Sequence, residues 1–379
     1  MRDDEAHYRS MMFDTVIASI EWPHTLDQSL FDGGQSTTDL QQKAILRLWR
    51  NRPNEPRITY WLGEDVKRLR VEFSIPSMAK ISPYLNPQHG DVMLAIYHVN
   101  TFLAETFSHD LPSILNWHCS RIDYAWNWDV GADMKAYMSL FQQLWMGTMA
   151  RHPYPESQGV VFKSKQRGSR WVKFYDKGKQ LGERDKTVIR FEISNFKRTL
   201  PYMCEHWFGC DRTVGNLLHP GRALYCMAMM WERLGLDNAD TYGGDASSLL
   251  LRLRKDYGNA SLAAYGALHA IRSYGADVYK HYDLMSKNTY YTWKRRLSEC
   301  GYTTEYSDTS LMALHLPSDT LYQSVKEFQT VQNLAIGDAG GQKRTAKIFA
   351  EILAPALGVR PDATPSKYLI KRFNDATAA

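Results

Sequence analysis

The chain is poor in the residues that build covalent or thiolate-metal frameworks. Its 379 residues include five cysteines, Cys119, Cys204, Cys210, Cys226 and Cys300. The count is odd and no C-x-x-C pair occurs, which argues against a disulfide scaffold or a zinc module and for reduced thiols in a cytosolic setting. Cys204, His206 and Cys210 lie close together, but no fourth ligand stands at a suitable spacing, so they are expected to be structural. The 12 histidines form no His-x-His pair, and no G-x-x-x-x-G-K-[ST] loop is present, so a P-loop ATPase is not indicated. No apolar run approaches the ~20 residues of a membrane helix. The opening MRDDEAHYRS is polar and acidic, unlike a secretory leader. Charge of one sign is also scarce overall: the net value is +5, too small to identify a nucleic-acid partner from composition.

What is present is a globular composition, 44% hydrophobic and 23% charged, with 22 Tyr and 11 Trp. A chain of this length buries roughly 75% of its unfolded surface, so core size is not limiting. Charge is concentrated: residues 161–200 hold twelve Lys or Arg against four Asp or Glu. This stretch contains Lys163, Lys165, Arg167, Arg170, Lys173, Lys177 and Arg190. Abundant aromatic rings suit base stacking as well as core packing.

Residues rich in β-branched and aromatic side chains predict strands over 13–20, 57–61, 69–75, 117–128, 159–163, 170–176 and 187–194. Helical spacing of apolar residues predicts helices over 91–107 and 134–149. Strand runs with only two helices imply an α+β fold, a largely antiparallel sheet with flanking helices. From about residue 200 periodic helices dominate, over 222–234, 246–255, 261–274, 287–299 and 320–335. The expected division is 1–205, an α+β unit, and 206–379, a mainly helical unit.

Three short strings carry the chemistry: RID (Arg121–Asp123), FYDK (Phe174–Lys177) and RFE (Arg190–Glu192). Side chains at i and i+2 share a strand face. Arg121 with Asp123, Tyr175 with Lys177, and Arg190 with Glu192 therefore form same-side pairs. Carboxylates suit a hard divalent cation such as Mg²⁺ or Mn²⁺, which makes Asp123 and Glu192 metal candidates and Glu72 a third. A phenol near Lys177 and a metal is a candidate nucleophile for a phosphodiester. On residues alone a second reading stands beside this one. A strand tyrosine is commonly a packing residue, and RID and RFE also read as ion-paired strand residues. His118 has odd spacing from Asp123, so a regular strand turns it away from that carboxylate.

In order along the chain, RVEFSIP (70–76), SRID (120–123), VKFYDK (172–177), IRFE (189–192) and MSKNTYYTWKRRL (285–297) resemble motifs of the gene II/gene X type replication proteins of filamentous phages. These are rolling-circle initiators that nick and rejoin one DNA strand. The resemblance covers roughly residues 11–300 and implies an initiator-type nuclease fold. It implies Tyr175 as nucleophile, acidic positions at Asp123, Glu192 and Glu72, origin DNA as substrate, and a host helicase and DNA polymerase as partners. A plasmid-type initiator or relaxase would share this chemistry; a non-catalytic DNA-binding regulator would not. Many such enzymes hold metal through His-x-His, which this chain lacks.

Ser286 is a good N-cap for a helix that interleaves Tyr290, Tyr291 and Trp293 with Lys294, Arg295 and Arg296. This helix reads equally as a DNA reader or as an amphipathic helix with a solvated basic side. The expected nucleic-acid contacts are Arg121, Lys163, Lys165, Arg167, Arg170, Lys173, Arg190, Lys294, Arg295 and Arg296. The basic stretch 367–372 reads as a solvated helix end.

Overall fold

Period-two alternation of apolar and polar residues gives a sheet two unlike faces, and every larger feature of the fold follows from that partition. The computed structural model describes residues 12–21, 37–39, 44–48, 55–62, 67–107, 111–144, 146, 149–154, 159–166, 169–183, 185–234, 236, 241–242, 253–254, 256–274, 277–280, 282–299, 311–312, 314–316 and 353–378. The expected segment 320–335, most of 246–255, and Arg167 lie outside these residues.

Among the described residues ten strands form one sheet: β1 (Phe13–Glu21), β2 (Thr37–Asp39), β3 (Ala44–Leu48), β4 (Arg57–Leu62), β5 (Lys67–Ser74), β6 (His118–Asp129), β7 (Met149–Tyr154), β8 (Gly159–Ser164), β9 (Arg170–Asp176) and β10 (Val188–Phe196). Their spatial order is β2-β3-β4-β5-β1-β6-β10-β9-β8-β7. The pairings along this order are antiparallel. The fold is thus α+β with an antiparallel sheet and flanking helices, as the sequence pattern implies. Two helices, α1 (Ile75–Ala79) and α2 (His89–Thr106), follow β5; α3 (Met134–Gln143) follows β6. The predicted helix 134–149 is shorter than expected, because Met149 opens β7. Pro153 hides β7 in the sequence: it cannot donate to a ladder, but an edge strand tolerates it.

One sheet face is apolar. Ile122 and Tyr124 of β6, Val172 and Phe174 of β9, and Ile189, Phe191 and Ile193 of β10 are all buried there. Helix α3 lays Phe141 on Phe174, with ring centroids 4.3 Å apart. Beyond the sheet come α5 (Leu200–Tyr202), α6 (Val214–Leu217) and α7 (Pro220–Arg233). Pro220 supplies a pre-set first turn for α7. This helix is apolar around most of its circumference, as befits a buried helix, and it brings Trp231 to 5.3 Å from Phe191 and 5.5 Å from Trp128. Each large side chain fully buried in this way contributes about 1.5–3 kcal/mol.

The core crosses the expected 205/206 division. Trp207, α7, and residues between Leu353 and Phe373 join the same hydrophobic cluster as the sheet. Tyr368, Leu369, Ile370 and Phe373 are buried, so the stretch 367–372 is docked, not a solvated end. A smaller cluster around Leu253, Leu268, Ile271, Tyr290 and Leu297 is built by the helices Ser261–Tyr274, Asp277–Lys280 and Lys287–Glu299. Ser286 caps the last of these by accepting from the Thr289 amide at 3.1 Å.

Gly221 lets the chain's last described segment reach α7. A Cβ there would stand 2.6 Å from Leu357 Cα and 2.7 Å from its carbonyl oxygen. Alanine ordinarily gains about 1 kcal/mol over glycine inside a helix. Gly221→Ala is instead expected to lose about 1–3 kcal/mol by overpacking, read as a lower urea midpoint. A variant at least as stable as the native chain would refute this close approach.

Candidate active site on the polar face of the sheet

The opposite face gathers the charges. Across it run Arg121, Asp123 and Asn127 of β6, Arg190, Glu192 and Ser194 of β10, and Trp171, Lys173 and Tyr175 of β9. Register sets these neighbours: Arg190 opposes both Asn127 and Tyr175, Glu192 opposes Lys173, and Ser194 opposes Asp123 and Trp171. Glu192 is thereby brought into direct contact with Lys173 and Tyr175 of the neighbouring strand. Tyr175 Oη donates to Glu192 Oε2 at 2.6 Å, and Lys173 Nζ donates to Glu192 Oε1 at 2.5 Å. Ser194 adds a hydroxyl donor to the same carboxylate at 3.3 Å.

Asp123 lies two strand positions away and is held by Arg121 through two bonds, 2.9 Å from Nε and 2.5 Å from Nη2. Arg190 turns toward Asp14 at 3.2 Å and also donates to Asn127 Oδ1 and Pro83 O. Carboxylate oxygens of Asp14, Asp123 and Glu192 all lie within 4.8 Å of one another.

Asp14 escapes a sequence reading because regular alternation assigns it to the core face with Val16 and Ala18. The β1–β6 register shifts between the Phe13–Tyr124 and Val16–Ile122 pairs. A bulge sets an extra residue against the partner strand and re-aims side chains. Asp14 then meets Arg190 on the polar side.

The electrostatics follow from burial. Burial and the charge of Glu192 push Asp123 up to about 7, against the pull of Arg121. Burial would raise Glu192 as well, but Lys173 and Arg190, with the hydrogen bonds from Lys173 and Tyr175, bring it down instead. Of this coupled pair, Glu192 is the ionised member. Tyr175 is raised well above 10 by burial and by Glu192, so it is a neutral phenol and a donor. Lys177 falls to about 8 through burial and the nearby Arg190 charge.

Most predicted site residues converge here. Lys177 does so by a different route than expected: β9 ends at Asp176, which caps the short helix α4 (Lys177–Gln180). Lys177 Nζ lies 5.8 Å from the Tyr175 ring centroid and donates to Gln180. Gly159 makes room for the tyrosine, since a Cβ there would fall 2.7 Å from Tyr175 Cβ. Lys163 sits on the same face over the Trp171 ring, and Lys165 is exposed in the following turn.

Two expectations need correction. Glu72 is on the polar face but outside the carboxylate cluster, because Ile17 lies between it and Arg121 in the strand row. Arg170 is on the other face: its even position opposes Asn195, to which it donates at 2.7 Å, and it stacks on Trp207 at 5.0 Å in the core. It is therefore unavailable to a nucleic acid on the polar face. His118 sits at the start of β6 bonded to Arg212, away from the carboxylates. Lys294, Arg295 and Arg296 lie on the helix Lys287–Glu299, where Arg295 pairs with Glu299 and Arg296 lies over Trp293.

The carboxylate trio fits a hard divalent ion in donor type and spacing. Each carboxylate already faces a cation, so such an ion would compete with Arg121, Lys173 and Arg190. No family model and no curated protein matches the chain. A solved structure of a rolling circle replication initiator protein from Geobacillus stearothermophilus is similar to it, with a TM-score of 0.32 and 11% identity. That match covers 59% of this chain and 84% of the other. No helix among the described residues is long and apolar enough to cross a membrane.

The raised Asp123 fixes a pH dependence. In metal-free solution the folded chain keeps this proton to about 7, whereas the ordinary value is 3.8. The folded state binds more protons between these values, so this group's contribution to stability is full below that window and falls as pH rises through it. Asp123→Asn is expected to flatten that part of the Tm–pH curve in EDTA. An unchanged slope would show that Asp123 is ionised throughout.

Proposed function

We propose that the chain is a replication initiator that nicks one DNA strand through Tyr175 and later rejoins it. The observation that carries this reading is the Tyr175 hydroxyl bonded to Glu192, inside a cluster of three carboxylates bordered by Arg121, Lys173, Lys177 and Arg190. Phosphodiester cleavage needs this combination: a positioned nucleophile, cations for the transition-state charge, and donors for a metal.

In the proposed reaction Tyr175 Oη attacks the scissile phosphorus and the P–O3′ bond breaks. Glu192 orients the phenol and accepts its proton. Lys177, lowered to about 8 by burial and Arg190, is suited to protonate the departing 3′ oxygen. Lys173 and Arg121 border the path of the phosphate. Asp14, Asp123 and Glu192 would hold Mg²⁺ or Mn²⁺, which when bound supplies Lewis-acid neutralisation of the phosphate. The product is a 5′-phosphotyrosine and a free 3′-OH that primes rolling-circle synthesis. Reversal, with a 3′-OH attacking the phosphotyrosine, rejoins the strand without ATP. A host helicase and DNA polymerase would unwind and copy. The Tyr154 and Tyr175 rings pack against each other with centroids 5.4 Å apart.

The burial of Tyr175, 2% exposed, favours one other reading. In it the polar cluster is a structural ion-pair network and the protein binds DNA without cutting it. The two readings part in one experiment on labelled single-stranded origin DNA with Mg²⁺ or Mn²⁺. Nicking predicts a denaturation-resistant protein–DNA adduct that disappears in Tyr175→Phe and is lost in folded Asp123→Ala and Glu192→Ala. Cleavage that persists undiminished in Tyr175→Phe would remove the tyrosine assignment. Salt-dependent binding without any adduct would establish the non-catalytic reading.

A further inference from the structure

Trp171 and Phe196 occupy the polar face beside the carboxylate cluster. They are half-buried, whereas Phe174 and Phe191 of the same two strands are fully buried on the apolar face. The two rings meet edge to face with centroids 5.1 Å apart. Cations surround them: Lys163 and Lys173 lie 4.8 and 5.7 Å from the Trp171 ring, and the Arg121 guanidinium lies 5.3 Å from the Phe196 ring. Exposed Lys165, Lys197 and Arg198 stand on the flanking turns. Helices α3 and α7 cover the apolar face, not this one. Trp171 is four residues before Tyr175 on β9, which at a strand's rise of about 3.3 Å per residue places it about 13 Å away.

We propose that Trp171 and Phe196 form a base-stacking platform that binds single-stranded nucleic acid, with Lys163, Lys173 and Arg121 facing its backbone. Nucleobases present flat π faces that stack on aromatic side chains, and single strands combine such stacking with a cationic track. A duplex keeps its bases stacked on one another and cannot use the platform. An acidic peptide would satisfy the cations but leave the rings without partners. The inference deepens the nicking proposal, on which its choice of ligand rests: the platform would grip unpaired bases next to the reacting phosphate.

The test uses the full chain in EDTA, which suppresses cleavage, and the anisotropy of a dye-labelled oligothymidylate. Trp171→Leu keeps an apolar side chain but removes the π face, and is expected to weaken binding about tenfold to a hundredfold, the range of one lost base stack. Trp171→Phe should retain most of the affinity. The slope of affinity against salt should be unchanged in Trp171→Leu, because stacking releases no counterions, and shallower by about 0.7 in Lys163→Gln. A matching duplex should bind more weakly than the single strand. If Trp171→Leu does not fold, Phe196→Leu carries the same test. Native-like binding by a folded variant lacking either ring, or a preference for duplex, overturns the platform. The adduct assay reports separately: an adduct with native-like Trp171→Leu binding removes the platform alone, and stacking without an adduct removes the nicking chemistry alone.

Discussion

A carboxylate in the middle of a sheet, 4% exposed, cannot be left without partners, and Glu192 organises the polar face around that requirement. Lys173, Tyr175 and Ser194 all direct donors at it. Burying an ion costs several kcal/mol unless its lone pairs are satisfied at close range. Each of these partners is therefore fixed in position by the same carboxylate. Asp123 and Asp14 are in turn paired with Arg121 and Arg190. The result is a network in which a phenol is held protonated at a known place.

Such a network is poor evidence of stability, because well-packed apolar residues would often serve as well or better. Its retention on one face, while the reverse of the same strands is largely apolar, is the feature that links the fold to chemistry. The apolar face recruits α3, α7 and the segment around Leu353–Phe373, which leaves the polar face to charges and to the half-buried rings of Trp171 and Phe196. Gly159 and Gly221 serve the two faces in turn, one admitting Tyr175 and the other the last described segment.

Much of this was legible in the residues themselves. The strands carrying RID, FYDK and RFE were recoverable because β-branched and aromatic residues alternate there with charges. Parity also contained more than charge counting extracted from it: Arg170 is out of phase with Lys173 and Tyr175, so alternation alone places it on the other face. β7 was hidden by Pro153, whose missing N–H matters only when a strand has neighbours on both sides. The short strands Thr37–Asp39 and Ala44–Leu48 carry too few residues for a period to be read.

The sequence by itself determined which side chains share a face along a regular strand, since there it depends only on covalent geometry and the two-residue repeat. Tertiary structure decided which faces meet and in what register. It placed Glu192 opposite Lys173, and it separated Glu72 from the cluster by one strand row. It also brought Asp14 to Arg190 through a register shift in β1. The reason is physical: register and bulges are set by hydrogen bonding between segments far apart in the chain, and no local pattern carries that information.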